Sequence, residues 1–412
     1  MHKLMKRPSI AVIGAGAAGC FAAARISRLL PEAEVTVYEG SSSPMAKLSV
    51  TGGGRCNLTN TFEGVRSLEE VYPRGSSLMK RLLKHFGPRE TMEWFRNEGL
   101  PLTVLPDGRV FPSSNDARDV VWTLMRALEE GGVRVKTHSK LSGISQLKAD
   151  CVLVATGGCN SPEILSLLES AGAEYTAPCP SLFTFRIEDE KLKSLSGITV
   201  PDARVVIPAP GISARGPLLL TDWGMSGPAA LKLSANAARL LSERGYASPL
   251  LVNWCALNDE ECRLRLKEAA ETNPHKYISS VTLEGIPERL WKYLVVRSGC
   301  RAECRGTELG SKGLSRLVST LCSDPHRITG RVRFKEEFVT CGGVSLKAVD
   351  PKRLNLKDSP SVFFAGEVLD IDAVTGGFNL QAAWTTGWCA ANGIAEYIIN
   401  KDICTTTDMA CM

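Results

Sequence analysis

The chain has 412 residues, a hydrophobic content of 44% and a formal net charge of +5, a length beyond the usual single core that points to two domains or one domain with a large insertion. So small a charge excess argues by itself for neither a nucleic-acid binder nor a membrane-surface protein, and no apolar run reaches the roughly 18 to 20 residues that would span a bilayer. The 14 cysteines lack the dense, regular spacing of a secreted disulfide scaffold, so a cytoplasmic protein with reduced thiols is expected.

Ile10 to Ile13 form a short apolar run of strand type, Gly14, Gly16 and Gly19 supply G-x-G-x-x-G, and Cys20 to Leu30 follows as an alanine-rich helix. Such a turn exposes backbone N–H groups at the positive end of a helix, where a nucleotide pyrophosphate is favoured, and a side chain at Gly14 or Gly16 would block its approach. A glycine-rich strand-to-helix turn can also serve close packing alone. Glu39 weighs against that: it ends a second apolar strand, Val35 to Tyr38, at the roughly 20-residue offset where an acid meets a ribose hydroxyl. The basic start and the apolar run ending Ala18-Gly19-Cys20 also resemble a lipoprotein export signal, but cleavage there would discard the strand and the turn.

After a loop at Gly40 to Pro44 comes Lys47 to Asn60, with Gly52, Gly53 and Gly54 beside Arg55, Cys56 and Asn57. A loop of this composition can wrap a polyanion, its freed N–H groups joined by the charge of Arg55 and Lys47; a flexible surface loop is the alternative. Ser77 to Phe86 and Pro88 to Asn97 read as amphipathic packing helices, Leu102 to Leu105 and Arg109 to Phe111 as a hairpin, and Asp116 to Glu130 as a helix. Strand character resumes at Val133 to Lys136. Cys151 to Val154 is an apolar run of buried parallel type leading into Ala155, Thr156, Gly157 and Gly158, a small-residue turn where the chain can pass close to a ligand. It is not a second G-x-G-x-x-G, so no separate nicotinamide domain is expected. Ser161 to Ala171 is a helix, and Pro178-Cys179-Pro180 marks a crossing into another unit.

From about Glu188 to Phe334 the pattern changes, with strands at Ile198 to Pro208 and Leu250 to Cys255 and helices at Ala229 to Leu241, Asp259 to Thr272, Pro287 to Ser298 and Leu314 to Cys322. Gly224-Met225-Ser226-Gly227-Pro228 has its second glycine one position early for a nucleophile elbow, so Ser226 is read as a helix N-cap rather than a hydrolase nucleophile. Cys300, Cys304 and Cys322 do not have zinc-ribbon spacing and are read as structural. Arg297, Arg301, Arg305, Lys312 and Arg316 make a basic run interleaved with Glu303 and Glu308, which reads as a solvated helix face rather than a phosphate-binding surface. A strand at Val332 to Val339 follows. The last strong stretch is Val362 to Glu367, a buried strand ending in Gly366 and an acid, then Asp370, Asp372 and Thr375-Gly376-Gly377-Phe378-Asn379-Leu380-Gln381, which opens a helix to about Ile399. The acid suits a ribityl or ribose hydroxyl, and the glycine-opened helix start aims free N–H groups at negative charge. The polar tail is expected to be mobile.

Together these stretches resemble a two-dinucleotide-binding flavoprotein, and more narrowly the bacterial BaiN/RdsA-type, YhiN-like family of NAD(P)/FAD-dependent oxidoreductases, whose members include proteins named as aminoacetone oxidases and dehydro-bile-acid reductases. The match is carried by Gly14 to Gly19 with Glu39, Thr51 to Asn60, Arg109 to Ser114, Ala155 to Gly158, Gly224 to Pro228, Thr340 to Val344 and Gly366 to Gln381, and spans nearly the whole chain. The resemblance implies an α/β fold: a discontinuous Rossmann-like FAD-binding domain, 1–187 with 338–404, an inserted β-barrel-like plus helical domain, 188–337, and a tail at 405–412. It implies that Gly14, Gly16, Ala17, Ala18, Gly19 and Glu39 hold the adenosine-pyrophosphate half of FAD. Lys47, Gly53, Gly54, Arg55, Cys56 and Asn57 would lie along pyrophosphate and flavin, Leu141 near the adenine, Ala155, Thr156 and Gly157 close to the cofactor, and Gly366, Glu367, Asp370, Gly376, Gly377, Phe378, Asn379, Leu380 and Gln381 would close over ribityl and ring.

Family members often carry a histidine after the threonine of a Thr-x-x-Gly-x-Ser-Gly-Pro loop; Asp222 stands there, so no proton-donor role carries over and no catalytic residue is assigned. The expectation is an FAD-dependent oxidoreductase binding a small molecule between the two domains, with NADH or NADPH as a possible transient donor. Nucleic acid, membrane and metal are not expected, and the oligomeric state is open. An amine-type oxidase using oxygen and a flavin-containing RNA-binding or scaffold protein are the alternatives.

Overall fold

The computed structural model describes residues 7–332 and 339–410. The strand expected at 332–339 falls mostly outside the described residues, as do 1–6 of the export-like start. Ile10 to Ile13 are all buried, as a continuous apolar run requires when helices cover both faces of a parallel sheet. The strand Ser9–Ile13 pairs in parallel with Glu34–Tyr38 on one side and Cys151–Val154 on the other; Ser359–Phe364 and Arg134–Lys136 extend the parallel set, and Asn355–Leu356 adds an antiparallel edge. Register is what positions the site. Ile13 lies opposite both Tyr38 and Val154, and Val154 lies opposite Phe364, so four strands end in line at the carboxyl edge where such sheets bind ligands.

Two helices cover this sheet region in close contact. Ala17–Leu29 meets Phe378–Ala410 at Gly387, where a Cβ would sit 2.9 Å from the Ala18 carbonyl oxygen. Phe21 anchors an aromatic cluster beside the crossing, with Trp94 at 4.7 Å and Trp384 at 5.5 Å between ring centroids. The last helix continues past the expected end at Ile399 and through most of the segment expected as a tail, because no glycine or proline follows Gly393 to stop it. Residues 411–412 lie outside the described residues. Among those described, no helix is long and apolar enough to cross a membrane.

The chain divides into two compact units, Met1–Cys179 with Val339–Met412, and Pro180–Phe338. The second contains a closed six-stranded barrel in the order Thr199–Ile207, Ile212–Thr221, Gly224–Ser226, Phe185–Ile187, Asp324–Arg331, Ser248–Asn253. A boundary at Glu188 would give Phe185–Ile187 to the first unit, yet this strand pairs with Gly224–Ser226 and Asp324–Arg331 inside the barrel. Three residues carry too little alternation to be seen in sequence. The helix expected over Ala229 to Leu241 is two, Gly227–Asn236 and Ala238–Glu243, broken at Ala237. Ser226 holds the N-cap position of the first without bonding its backbone; its hydroxyl pairs with Thr184 Oγ1 at 2.8 Å instead.

Candidate functional site

At the carboxyl edge, each of the four aligned strands leads into a predicted residue. Gly14 adopts φ +104° and accepts no side chain, since a Cβ would lie 2.4 Å from the Ala155 carbonyl oxygen. Gly19 is equally constrained, its Cβ position being 2.0 Å from the Gly14 oxygen. Gly16 is different: a Cβ there meets nothing within 4 Å, and it caps the helix Ala17–Leu29 with no side-chain bond. The first N–H groups of that helix, on Ala17, Ala18 and Gly19, therefore have no carbonyl one turn back and present a positive end. The Glu39 carboxylate is pinned beside the turn, accepting from Ala15 N at 3.0 Å and Ser41 N at 2.8 Å. Leu141 is half-buried in the segment after Arg134–Lys136, just beyond Ser139, whose N–H donates to the Glu39 carbonyl at 2.7 Å.

The stretch expected as a loop from Lys47 is partly helical. Ala46–Gly54 forms a short helix broken at Thr51, Gly52 and Gly53. Gly53 and Gly54 have φ of +69° and +81° with open space at their Cβ positions. Lys47 and Arg55 are exposed, and the Arg55 guanidinium lies 5.1 Å over the Phe111 ring. Cys56 departs from its expected role. Its side chain is fully buried, and burial pushes its thiol up to about 12, against a smaller lowering by a hydrogen bond with Thr51. Only its backbone can reach a ligand.

The third stretch docks onto the second. With its amide oriented as its neighbours require, Asn57 accepts from Gly377 N at 3.0 Å and donates to the Thr59 carbonyl at 3.1 Å. Asn60 donates to the Gly376 carbonyl at 3.1 Å. Gly377, at φ +94°, has the Thr59 oxygen 2.4 Å from its Cβ position. Gln381 is wholly buried: it accepts from Thr59 Oγ1 and donates to Thr91 Oγ1 and Thr385 Oγ1, each at 2.9 Å. Both ends of the Asn379 amide are engaged by Ala373 at 2.9 Å, Leu380 is half-buried, and Phe378 is buried against Phe62, edge-on at 5.0 Å. The side chains of Asn379 and Gln381, read from sequence as ligand contacts, are thus occupied in building the helix start, and its backbone is what remains to face a ligand. Thr91 and Thr385 escaped the sequence reading, because single threonines away from any motif carry no pattern, and Thr59 entered it only as part of the stretch from Lys47 to Asn60.

Gly366, at φ +79°, brings its Cβ position to 2.8 Å from Ala18 Cβ. The Glu367 carboxylate accepts from Thr340 N at 2.7 Å and lies 3.9 Å from the Cβ position of Gly157. Asp370 donates its backbone N–H to the Val344 carbonyl at 3.0 Å, and buried Asp372 is ion-paired with Arg74. Between these elements Thr156 Oγ1 is buried without a hydrogen-bond partner among the described residues, an arrangement that costs free energy unless a ligand or water completes it. An orphaned hydroxyl, open glycine positions and an acid on one sheet edge fit the phosphate and sugar parts of FAD.

A parallel sheet with this edge and an inserted barrel defines a Rossmann-type FAD-dependent oxidoreductase. The chain belongs to the family described as "HI0933-like protein Rossmann domain", whose model matches residues 8–393. It is similar to the ribosomal RNA dihydrouridine synthase of Escherichia coli (strain K12), 25% identical over 413 residues covering 95% of this chain and 98% of that one. It is similar to the 3-dehydro-bile acid delta(4,6)-reductase of Clostridium scindens, 25% identical over 409 residues covering 94% and 99%. Among solved structures, the 3-ketosteroid delta1-dehydrogenase of Sterolibacterium denitrificans aligns with a TM-score of 0.45 and 14% identity, over 94% of this chain and 99% of that one.

Proposed function

We propose that the protein reduces a carbon–carbon double bond conjugated to a carbonyl, using FAD that NADH or NADPH recharges. The carrying observation is the in-register edge that gathers Gly14, Glu39, Gly366 and the unpartnered Thr156 hydroxyl. FAD, when bound, supplies hydride chemistry at flavin N5. The chain's part is to bind and orient: the helix start at Ala17 and the charges of Lys47 and Arg55 hold the diphosphate, and Glu39 receives a ribose hydroxyl. Thr156 donates to a polar atom of the cofactor. The N–H groups opening the helix at Phe378 favour negative charge placed before them. The names of two relatives share one chemistry, since dihydrouridine formation and a delta(4,6)-reduction of a 3-dehydro steroid each saturate a bond in conjugation with a carbonyl.

The acceptor is read first as a small molecule. RNA is the second reading, favoured by the ribosomal RNA dihydrouridine synthases of two relatives. The basic run gives RNA little support, because Arg297 is consumed by Asp324 at 2.6 Å and Arg316 donates to the Ser298 carbonyl at 3.2 Å. The test is the visible spectrum of the purified protein under anaerobic addition of NADH or NADPH. Flavin bands that bleach, and are restored without oxygen by a conjugated enone or by uridine-bearing RNA, support the reading and choose the acceptor. Bands that persist under excess of both nucleotides point to an oxidase or to another electron donor, and a colourless protein that FAD cannot reconstitute overturns it.

A further inference from the structure

The second unit gathers three cysteines from separate elements. Cys255 follows the strand Ser248–Asn253, Cys262 lies in the first turns of the helix Asp259–Thr272, and Cys322 ends the helix Gly310–Cys322. Their sulfurs all lie within 4.8 Å of one another, and Cys255 Sγ donates to Asn253 Oδ1 at 3.5 Å and faces the Leu321 carbonyl at 3.9 Å. The cysteines closest in sequence turn to backbone carbonyls instead: Cys300 Sγ donates to that of Gly313 at 3.7 Å and Cys304 Sγ to that of Arg305 at 3.4 Å.

Each of the three is held by its own backbone clamp. Asn253 accepts from Cys255 N at 3.2 Å and donates to the Leu257 carbonyl at 2.7 Å. A capping box fixes the helix carrying Cys262, Asn258 accepting from Glu261 N at 2.9 Å and the Glu261 carboxylate from Asn258 N at 3.1 Å. Trp254 N donates to the Leu321 carbonyl at 2.8 Å, tying the strand end to the residue before Cys322. Thiols are weak hydrogen-bond partners for one another, so three of them in one place gain little from being together unless something binds them. Cys262 is buried, while Cys255 and Cys322 are half-buried, which leaves a way in.

We propose that Cys255, Cys262 and Cys322 form a metal site that takes one thiophilic cation, zinc in the first instance, through three thiolates. A Zn–S bond of about 2.3 Å sets tetrahedral sulfurs about 3.8 Å apart, within the 4.8 Å that bounds the separations in the cluster. Among the described residues no histidine, carboxylate or fourth cysteine completes the set, so solvent takes the remaining position. Binding displaces three thiol protons to solvent and transfers no electrons. The ion pins one barrel strand to two helices of the same unit.

The test uses the full chain, purified in reductant and without a metal-affinity step. It is expected to hold one zinc per chain by elemental analysis, and cobalt in its place is expected to give a thiolate-to-cobalt charge-transfer band. Cys262→Ser and Cys322→Ser should abolish both, and Cys304→Ser should keep both. Should the serine variants fail to fold, the wild-type protein still decides, because chelation should expose three further thiols to a thiol reagent. A reduced protein that binds neither metal, a thiol count that chelation leaves unchanged, or a disulfide among the three that persists in the presence of zinc overturns the site.

Discussion

At the residue scale, the two leading glycines of the first turn do different work, and they can be separated. Gly14 is there because the Ala155 carbonyl leaves no room for a Cβ, whereas Gly16 faces open space. Gly14→Ala is expected to destabilise the fold by about 3 kcal/mol, seen as a lowered denaturation midpoint with or without FAD. Gly16→Ala should stay within about 0.5 kcal/mol of wild type yet weaken FAD binding by about tenfold or more in a flavin-fluorescence titration. If Gly16→Ala bound FAD as wild type does, the diphosphate would not pass that turn.

Asp150 makes a second residue-scale case. Burial alone would raise its carboxyl, but the Ser9 backbone N–H, the Lys401 ammonium and the Ser9 hydroxyl outweigh it and hold the group down at about 2. Its folded value is depressed, so its contribution is present above the ordinary carboxyl range near 3.9 and lost as pH falls through about 2. Asp150→Asn should therefore cost about 1 kcal/mol at neutral pH, after discounting for solvent screening, and nothing below pH 2. Urea melts of both proteins across that window check the sign.

At the element scale, the helix opening at Phe378 is fixed by groups more than its own. Tyr72 Oη donates to the Phe378 carbonyl and Trp384 Nε1 to the Leu58 carbonyl, each at 2.9 Å, in addition to the buried Gln381 set. Gln381→Ala leaves Thr59 and Thr91 hydroxyls buried with a partner removed, and is expected to cost about 2 kcal/mol and to lower flavin retention on gel filtration. Full retention would show that the helix start is held without it. Sequence disclosed the glycine turn, Glu39, the parallel strands and the glycine-opened helix, because each rests on a local pattern of period or turn chemistry. It could not disclose that Asn379 and Gln381 face inward, that Cys56 is sealed, or that Cys262 meets Cys255 and Cys322, since those facts depend on which distant segment folds against each residue. Phe185–Ile187 was hidden for another reason, its shortness.

At the scale of the whole molecule, the barrel unit has its own core, drawn from residues between Phe183 and Ile328, and a closed barrel leaves no strand edge to protect. The segment 180–338 expressed alone should give a cooperative thermal transition and a circular dichroism spectrum of mixed helix and strand. FAD added to the full chain should raise the melting of the sheet unit and leave that of the barrel where it is. A fragment without cooperative melting would show that the two units fold only together.

The clamp between Thr59 and Gln381 spans 322 positions of sequence, and this separation governs the order of events during synthesis. Translation delivers the glycine turn first and the helix that completes its surroundings last, with the whole barrel emerging in between. Loop closure over such a distance is slow, and domains tend to fold as their chain becomes available. The barrel can thus be finished while the first strands still wait for their partner from the C-terminus. A ribosome that stalls before Phe378 would release a chain with a formed barrel and an open sheet, one for a protease to remove rather than a flavoprotein of lower activity.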